Sequence, residues 1–243
     1  MDLGLPALII VSGVAFLAGI SRTGIPGMGM LLVPIVAMVM PVRASTGFLL
    51  LIFVEADLIA VLFFRRRVVW SQLFRVLPWT LAGVVLGFFA MHYIDEATFK
   101  PLLGGMIVAI VALDFLRRRA KIELVSGKWY FSAVAGVLAG VFTMMANAAG
   151  PIMTIYLLSM NLPKEEFIGT GVLFYCIINL VKLPFSIALG IITLGGVKVD
   201  LMLIPLIALG CLAGVQIMKR VSQRHFNSLA QTLAGLGGIK LLF

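Results

Sequence analysis

Apolar residues run along this chain in long stretches broken by short polar gaps, near 5 to 21, 28 to 41, 45 to 64, 72 to 92, 99 to 116, 129 to 146, 151 to 161, 165 to 189, 199 to 218 and 227 to 243. A hydrocarbon core of about 30 Å takes about 20 helical residues to cross, so most stretches are long enough to span. Two are not. As helices, residues 28 to 41 would reach roughly 21 Å and residues 151 to 161 roughly 16 Å, so each is read as one arm of a hairpin with the stretch before it. The pattern predicts an all-α polytopic membrane protein.

The chain also matches itself. Leu17-Ala18-Gly19 recurs as Leu138-Ala139-Gly140, and Gly29 as Gly150, at an offset of 121. Pro41, Gly47, Leu51, Leu58 and Phe63 recur as Pro163, Gly169, Leu173, Leu180 and Phe185 at 122. Pro78, Gly83, Gly87 and Phe99 recur as Pro205, Gly210, Gly214 and Phe226 at 127. Glycines and leucines coincide by chance in any apolar chain, but a repeated Pro-x4-Gly-x3-Gly spacing is a stronger signal of duplication. One membrane domain over 1–243 is therefore expected, with repeats of about 1–120 and 121–243, each a re-entrant or broken helical hairpin plus three transmembrane helices.

Composition removes the soluble classes. With 62% hydrophobic and 12% charged residues and a mean hydropathy of +1.15, the chain has no room for a soluble domain. A net charge of +9 would suggest nucleic acid on a soluble surface, but the cations cluster between apolar stretches, as in Arg65-Arg66-Arg67 and Arg117-Arg118-Arg119. That distribution reports topology. It places the Arg65 loop, the Arg117 to Lys128 loop and the Lys219-Arg220 to Arg224 loop in the cytoplasm, so residues 129–164 start and end inside while 5–43 start and end outside. The repeats are then inverted, with Arg43 on the outer side against the rule. The opening Met1-Asp2-Leu3-Gly4 lacks the positive charge of a secretory signal and reads as the start of a mature span. Cys176 and Cys211 fall in apolar stretches as small hydrophobes, and His92 and His225 are isolated, so neither metal nor cofactor is expected.

Chemistry concentrates at the hairpin tips. The first reads Ser21-Arg22-Thr23-Gly24-Ile25-Pro26-Gly27-Met28-Gly29 and the second Met145-Ala146-Asn147-Ala148-Ala149-Gly150-Pro151. Irregular backbone at membrane depth must be packed in protein or line a hydrated cavity. In both tips a proline follows small residues where a new helix should begin, and the free N–H groups of two helix starts make an anion site. The alternative is a pair of surface turns with Arg22 snorkelling to headgroups.

Ionisable residues inside spans are costly and mark function. Asp57 and Lys182 are such residues; Asp57 corresponds to Asn179 in the repeat, and Lys182 follows Asn179 by three positions on the same helix face. Arg22 and Lys182 are expected to attract an anion, with Asn147, Asn179 and Thr23 donating neutral hydrogen bonds. Gly24, Gly27, Ala148 and Gly150 let the anion approach the backbone, and Asp57 carries a proton or balances charge. A purely structural Asp57 to Lys182 ion pair is the rival. Glu55 lies about 200° around the helix from Asp57. Thr46, Thr170 and Tyr175 are weaker polar candidates, and Gly83-x3-Gly87 and Gly210-x3-Gly214 read as helix-packing pairs.

At these residues the chain resembles the TauE/SafE sulfite-exporter family, also called the toluene sulfonate uptake permeases. The resemblance covers nearly the whole length. It rests on Ala18-Gly19 leading into Thr23-Gly24-Ile25-Pro26-Gly27-Met28-Gly29, on Asp57 with Ala60-Val61, on Ala146-Asn147-Ala148-Ala149-Gly150-Pro151 with Tyr156-Leu157-Leu158, and on Asn179 to Pro184. Many members carry a denser glycine tract at the first hairpin, where Arg22, Ile25, Pro26 and Met28 stand here. The resemblance implies movement of sulfite, sulfonates or related small anions across a bacterial cytoplasmic membrane. Partners would be a small anionic substrate, the bilayer and, as one option, a second copy in a homodimer. Export gains about 2.3 kcal/mol per negative charge per 100 mV when the inside is negative. An anion channel and a scaffold without cargo are the competing readings; no nucleophile, base or metal set supports an enzyme.

Overall fold

The computed structural model describes residues 4–25, 28–95, 98, 129–223 and 225–226. The expected spans at 99–116 and 227–243 and the Arg117 to Lys128 cluster lie outside the described residues. Within them the chain is helical, without strands: α1 Leu5–Thr23, a 3-10 turn Met28–Leu31, α2 Leu32–Ala37, α3 Val42–Phe64, a 3-10 turn Arg65–Arg67, α4 Trp70–Tyr93, α5 Trp129–Ala146, α6 Gly150–Ser159, α7 Lys164–Ala188 and α8 Leu194–Arg220. Six are long and apolar enough to cross a membrane, whereas α2 and α6 are short. The two stretches too short to span thus hold short helices, Leu32–Ala37 and Gly150–Ser159.

Local sequence sets these boundaries. Pro41 and Pro163 occupy the N-cap positions of α3 and α7, their fixed φ leading the chain into the helix. α1 stops where Gly24 donates its N–H back to the Ile20 carbonyl at 2.8 Å. Thr193 caps α8 by accepting from the Gly196 N–H at 3.1 Å. α8 begins five residues and α3 three residues before its apolar stretch, while α4 and α7 stay within two residues of theirs.

α3 and α7 cross the centre in opposite directions. At one end Gly169 lies against the Arg67 carbonyl and the Val69 N–H donates to Thr170 Oγ1 at 2.9 Å; at the other, Gly47 lies against the Ile191 carbonyl. Around them stand two apolar clusters. One gathers α1, α2 and α3 with α8, and the other gathers α5, α6 and α7 with α4. The fourth helix of each stretch of chain thus packs with the other stretch.

Glycines make this exchange possible. A Cβ on Gly19 would strike the Ile207 carbonyl and one on Gly140 the Thr80 carbonyl. Gly210 meets the Phe16 carbonyl as Gly83 meets that of Val137. The α1–α8 contacts and the α5–α4 contacts are the same contacts, displaced by the offsets of 121 and 127. Both glycine pairs are helix-packing devices, as their spacing suggested.

The ends are tied alike. Arg43 Nη2 donates to the Met91 carbonyl at 2.7 Å and to that of Ile94, at the C-terminus of α4. Lys164 Nζ donates to the Met218 and Val221 carbonyls at 3.0 and 2.7 Å, at the C-terminus of α8. A cation at a helix C-terminus satisfies orphan carbonyls and complements the dipole. Arg43 and Lys164 therefore each cap the C-terminus of a neighbouring helix.

Candidate functional site

α5 ends at Ala146, and Asn147 turns the chain with φ of 53°, a left-handed conformation that asparagine tolerates better than most residues. α6 then starts at Gly150 with Pro151 in its first turn and no side-chain cap at Ala149. The first tip differs: the chain passes through the 3-10 turn Met28–Leu31 before a helix of only 6 residues. Only the second tip presents a helix start of useful length beside the site.

Asn147 joins the two stretches of chain. Its Nδ2 donates to the Thr46 carbonyl at 2.9 Å, and its Oδ1 accepts from Lys182 Nζ at 2.6 Å. Lys182, 1% exposed, also donates to Thr143 Oγ1 at 3.2 Å and Asn179 Oδ1 at 3.3 Å, which uses all three of its N–H groups. Asn179 Nδ2 donates to Asp57 Oδ2 at 2.7 Å, and Asp57 Oδ1 faces Arg22 Nε at 3.0 Å. Asp57 pairs with Arg22, not with Lys182; the amide of Asn179 stands between the carboxylate and the ammonium.

The Arg22 guanidinium lies between two rings, 4.2 Å from the Phe53 centroid and 4.6 Å from that of Tyr175. With its side chain only 10% exposed, Arg22 lies largely inside the protein and does not snorkel. The salt bridge uses Nε and leaves the two Nη groups without a hydrogen bond to the described residues. Arg22 borders a cavity of about 50 Å³. At roughly 10–15 Å³ per water, it has room for about four waters or one small oxyanion.

Arg22, Gly24, Asn147, Gly150 and Asn179 line this cavity. Lys182 and Asp57 stand one layer behind it. Thr23 is placed elsewhere: its Oγ1 lies 3.0 Å from the Gly19 carbonyl and 2.8 Å from that of Cys211, a tie between α1 and α8. Ala148 is buried behind the tip, outside the lining. Gly27 lies outside the described residues. Thr170 caps the Val69 N–H, and Thr46 offers its backbone carbonyl.

Three hydroxyls join the lining. Ser21, Thr154 and Tyr175 face the cavity and make no hydrogen bond to the described residues. Tyr175 was only a weaker candidate in the sequence, and Ser21 and Thr154 were not singled out. Helical spacing held the signal, since Thr154 follows Gly150 by four residues, and Phe53 precedes Asp57 by four, each pair on one face.

A family model described as "Sulfite exporter TauE/SafE" matches residues 11–241. A "Probable membrane transporter protein" of Haemophilus influenzae (strain Rd) is 29% identical over 175 residues, covering 68% of this chain and 68% of that protein. No solved structure matches the chain.

Proposed function

This chain belongs to the TauE/SafE sulfite exporter family and is a multi-pass membrane transporter; on that premise we propose that its cargo is a small monovalent oxyanion or organosulfonate bound between Arg22 and the start of α6. The observation that carries this reading is a partly open cavity where a guanidinium held between two rings, the Asn147 and Asn179 amides and three hydroxyls are set in a mainly apolar lining. Arg22 and Lys182 against Asp57 give the cluster a formal charge of +1, which one monovalent anion neutralises. The uncapped α6 N-terminus at Gly150 adds backbone donors of the same polarity.

In this reading Arg22 touches the anion, Lys182 holds both amides in register, and Asp57 aims the guanidinium and balances charge. For the anion alone an inside-negative potential favours export by about 2.3 kcal/mol per charge per 100 mV. Antiparallel α3 and α7 and the doubled glycine contacts support two inverted repeats, 1–120 and 121–243, related by an axis in the membrane plane. A scaffold without cargo gives no reason for an arginine, two asparagine amides and three hydroxyls to border one cavity.

A thermal-unfolding screen of the purified protein with sulfite, sulfate, thiosulfate, sulfoacetate, taurine and small carboxylates tests the reading, because a ligand that binds the folded state raises its stability. Sulfite or a sulfonate should stabilise the wild type and leave Arg22→Gln unmoved. An equal response of the two proteins removes Arg22 from the site.

A further inference from the structure

Glu55 is two residues from Asp57 on α3, about 200° around the helix, and so turns from the anion cavity toward α8. There its carboxyl meets that of Asp200 within hydrogen-bonding reach. Asp200 is 2% exposed, and its Oδ1, like Glu55 Oε2, is buried and receives no N–H or O–H donor. Asp57 differs in having a cation beside it: its Oδ1 lies 3.0 Å from Arg22 Nε in an ion pair, and its Oδ2 accepts from Asn179 Nδ2. Besides Arg22 on α1, Asp57 on α3, Lys182 on α7 and the exposed Lys198 on α8, these elements carry charge at their ends, at Arg43 on α3, Lys164, Glu165 and Glu166 on α7 and Lys219 and Arg220 on α8, and no ion pair joins any of them to Glu55 or Asp200 among the described residues.

Chemistry then restricts what this pair can be. Two carboxylates in contact in a low-dielectric interior cannot both keep their charge. A hydrogen bond between two carboxyl groups exists only when one of them holds a proton, and the proton belongs to the pair. Sodium would need a fuller shell of oxygen ligands than these two side chains offer among the described residues.

We propose that Glu55 and Asp200 form the binding site of a proton that crosses the membrane with the anion. The proposal rests on the anion reading of the Arg22 cavity. α3 carries Asp57, and α8 is packed through Gly210 and Gly214 onto α1, which carries Arg22. The carboxyl contact therefore joins the helix bearing Asp57 to the helix that packs against the one bearing Arg22. With the proton bound, α3 and α8 stay together and that ion pair stays closed. When the proton leaves to water, two like charges face each other and drive the helices apart, taking Asp57 from Arg22. An anion bound beside Arg22 adds negative charge near the pair and strengthens proton binding, so the two travel together. A monovalent anion and one proton cross with no net charge, and the pH gradient joins the anion gradient in setting direction.

Methanesulfonate is the suitable probe, being monovalent, tetrahedral and without a titratable proton. The full chain is reconstituted into phosphatidylethanolamine and phosphatidylglycerol vesicles that hold a pH-sensitive dye, with the potential clamped at zero by potassium and valinomycin. An inward methanesulfonate gradient should acidify the lumen with wild-type protein. Glu55→Gln and Asp200→Asn should keep the thermal stabilisation by methanesulfonate, which also shows that they fold, and lose at least about tenfold of the acidification. Methanesulfonate uptake by wild type without acidification overturns the proton site and leaves the anion site standing, as does full acidification by both variants or a requirement for sodium. Absence of both stabilisation and uptake in wild type overturns the anion reading and this proposal with it.

Discussion

Lys182 Nζ stands 2.6 Å from Asn147 Oδ1, and this contact fixes the breakpoint of the second hairpin to the middle of α7. The ammonium has no N–H left for a ligand, so its influence on an anion passes through its field and through the two amides it orients. A charge at that depth is held by geometry, and removing it disturbs more than one neighbour.

Lys182→Met should lower thermal stability, because the Asn147 and Asn179 side-chain oxygens lose their donor at about 1–3 kcal/mol for each unsatisfied group. It should also abolish stabilisation by sulfite or methanesulfonate. Retention of the full anion-induced shift in this variant would remove Lys182 from the binding machinery.

Arg22→Gln leaves Asp57 buried with only Asn179 as partner, and breaking a buried pair on one side costs about 3–5 kcal/mol. The double change Arg22→Gln with Asp57→Asn should recover most of that stability and none of the anion response. Thermal unfolding of the two variants, with and without sulfite, separates the roles; recovery of both properties together refutes the assignment.

Gly19→Ala and Gly140→Ala place a methyl group against backbone carbonyls of the neighbouring helix, which cannot yield unless the helices part, at a cost of about 1–3 kcal/mol or more. The two losses should be alike, since the contacts repeat. Gly13 has nothing within 4 Å of its Cβ position, and Gly13→Ala should be neutral or slightly stabilising. Equal unfolding temperatures for all three variants would contradict the packing described.

Arg43 and Lys164 cap α4 and α8 at opposite ends of the antiparallel pair α3 and α7. Their replacement by cysteine should cost about 1 kcal/mol each through the lost carbonyl hydrogen bonds. An impermeant maleimide should reach position 43 from one side of sealed vesicles and position 164 from the other. Labelling of both from the same side would refute the inverted arrangement.

Hydropathy carried most of the helices, because crossing a bilayer demands unbroken apolar length, and the two short stretches betrayed both hairpins. Spacing also brought Asn179 and Lys182 onto one face. Partner choice was harder to read. Asp57 takes Arg22 because α1 runs beside α3, and no pattern along the chain states which helices are neighbours. Thr23 looked like a ligand in a polar tip, yet α8 lies close enough to claim its hydroxyl. Asp200 escaped notice at the margin of an apolar stretch starting at 199, next to Lys198, where a charge is ordinarily an end marker. The exchange of α4 and α8 was equally hidden, since the repeat offsets describe sequence and not packing.

That exchange bears on how the polypeptide tolerates being cut. Severed between α4 and α5, the N-terminal fragment keeps Gly19 without Gly210, and the C-terminal fragment keeps Gly140 without Gly83. Each fragment then exposes a flat, small-residue groove shaped for a helix that the other fragment owns. Produced alone, either half should be cleared by the cell's proteases; produced together, the halves should find each other and reassemble as an obligate heterodimer.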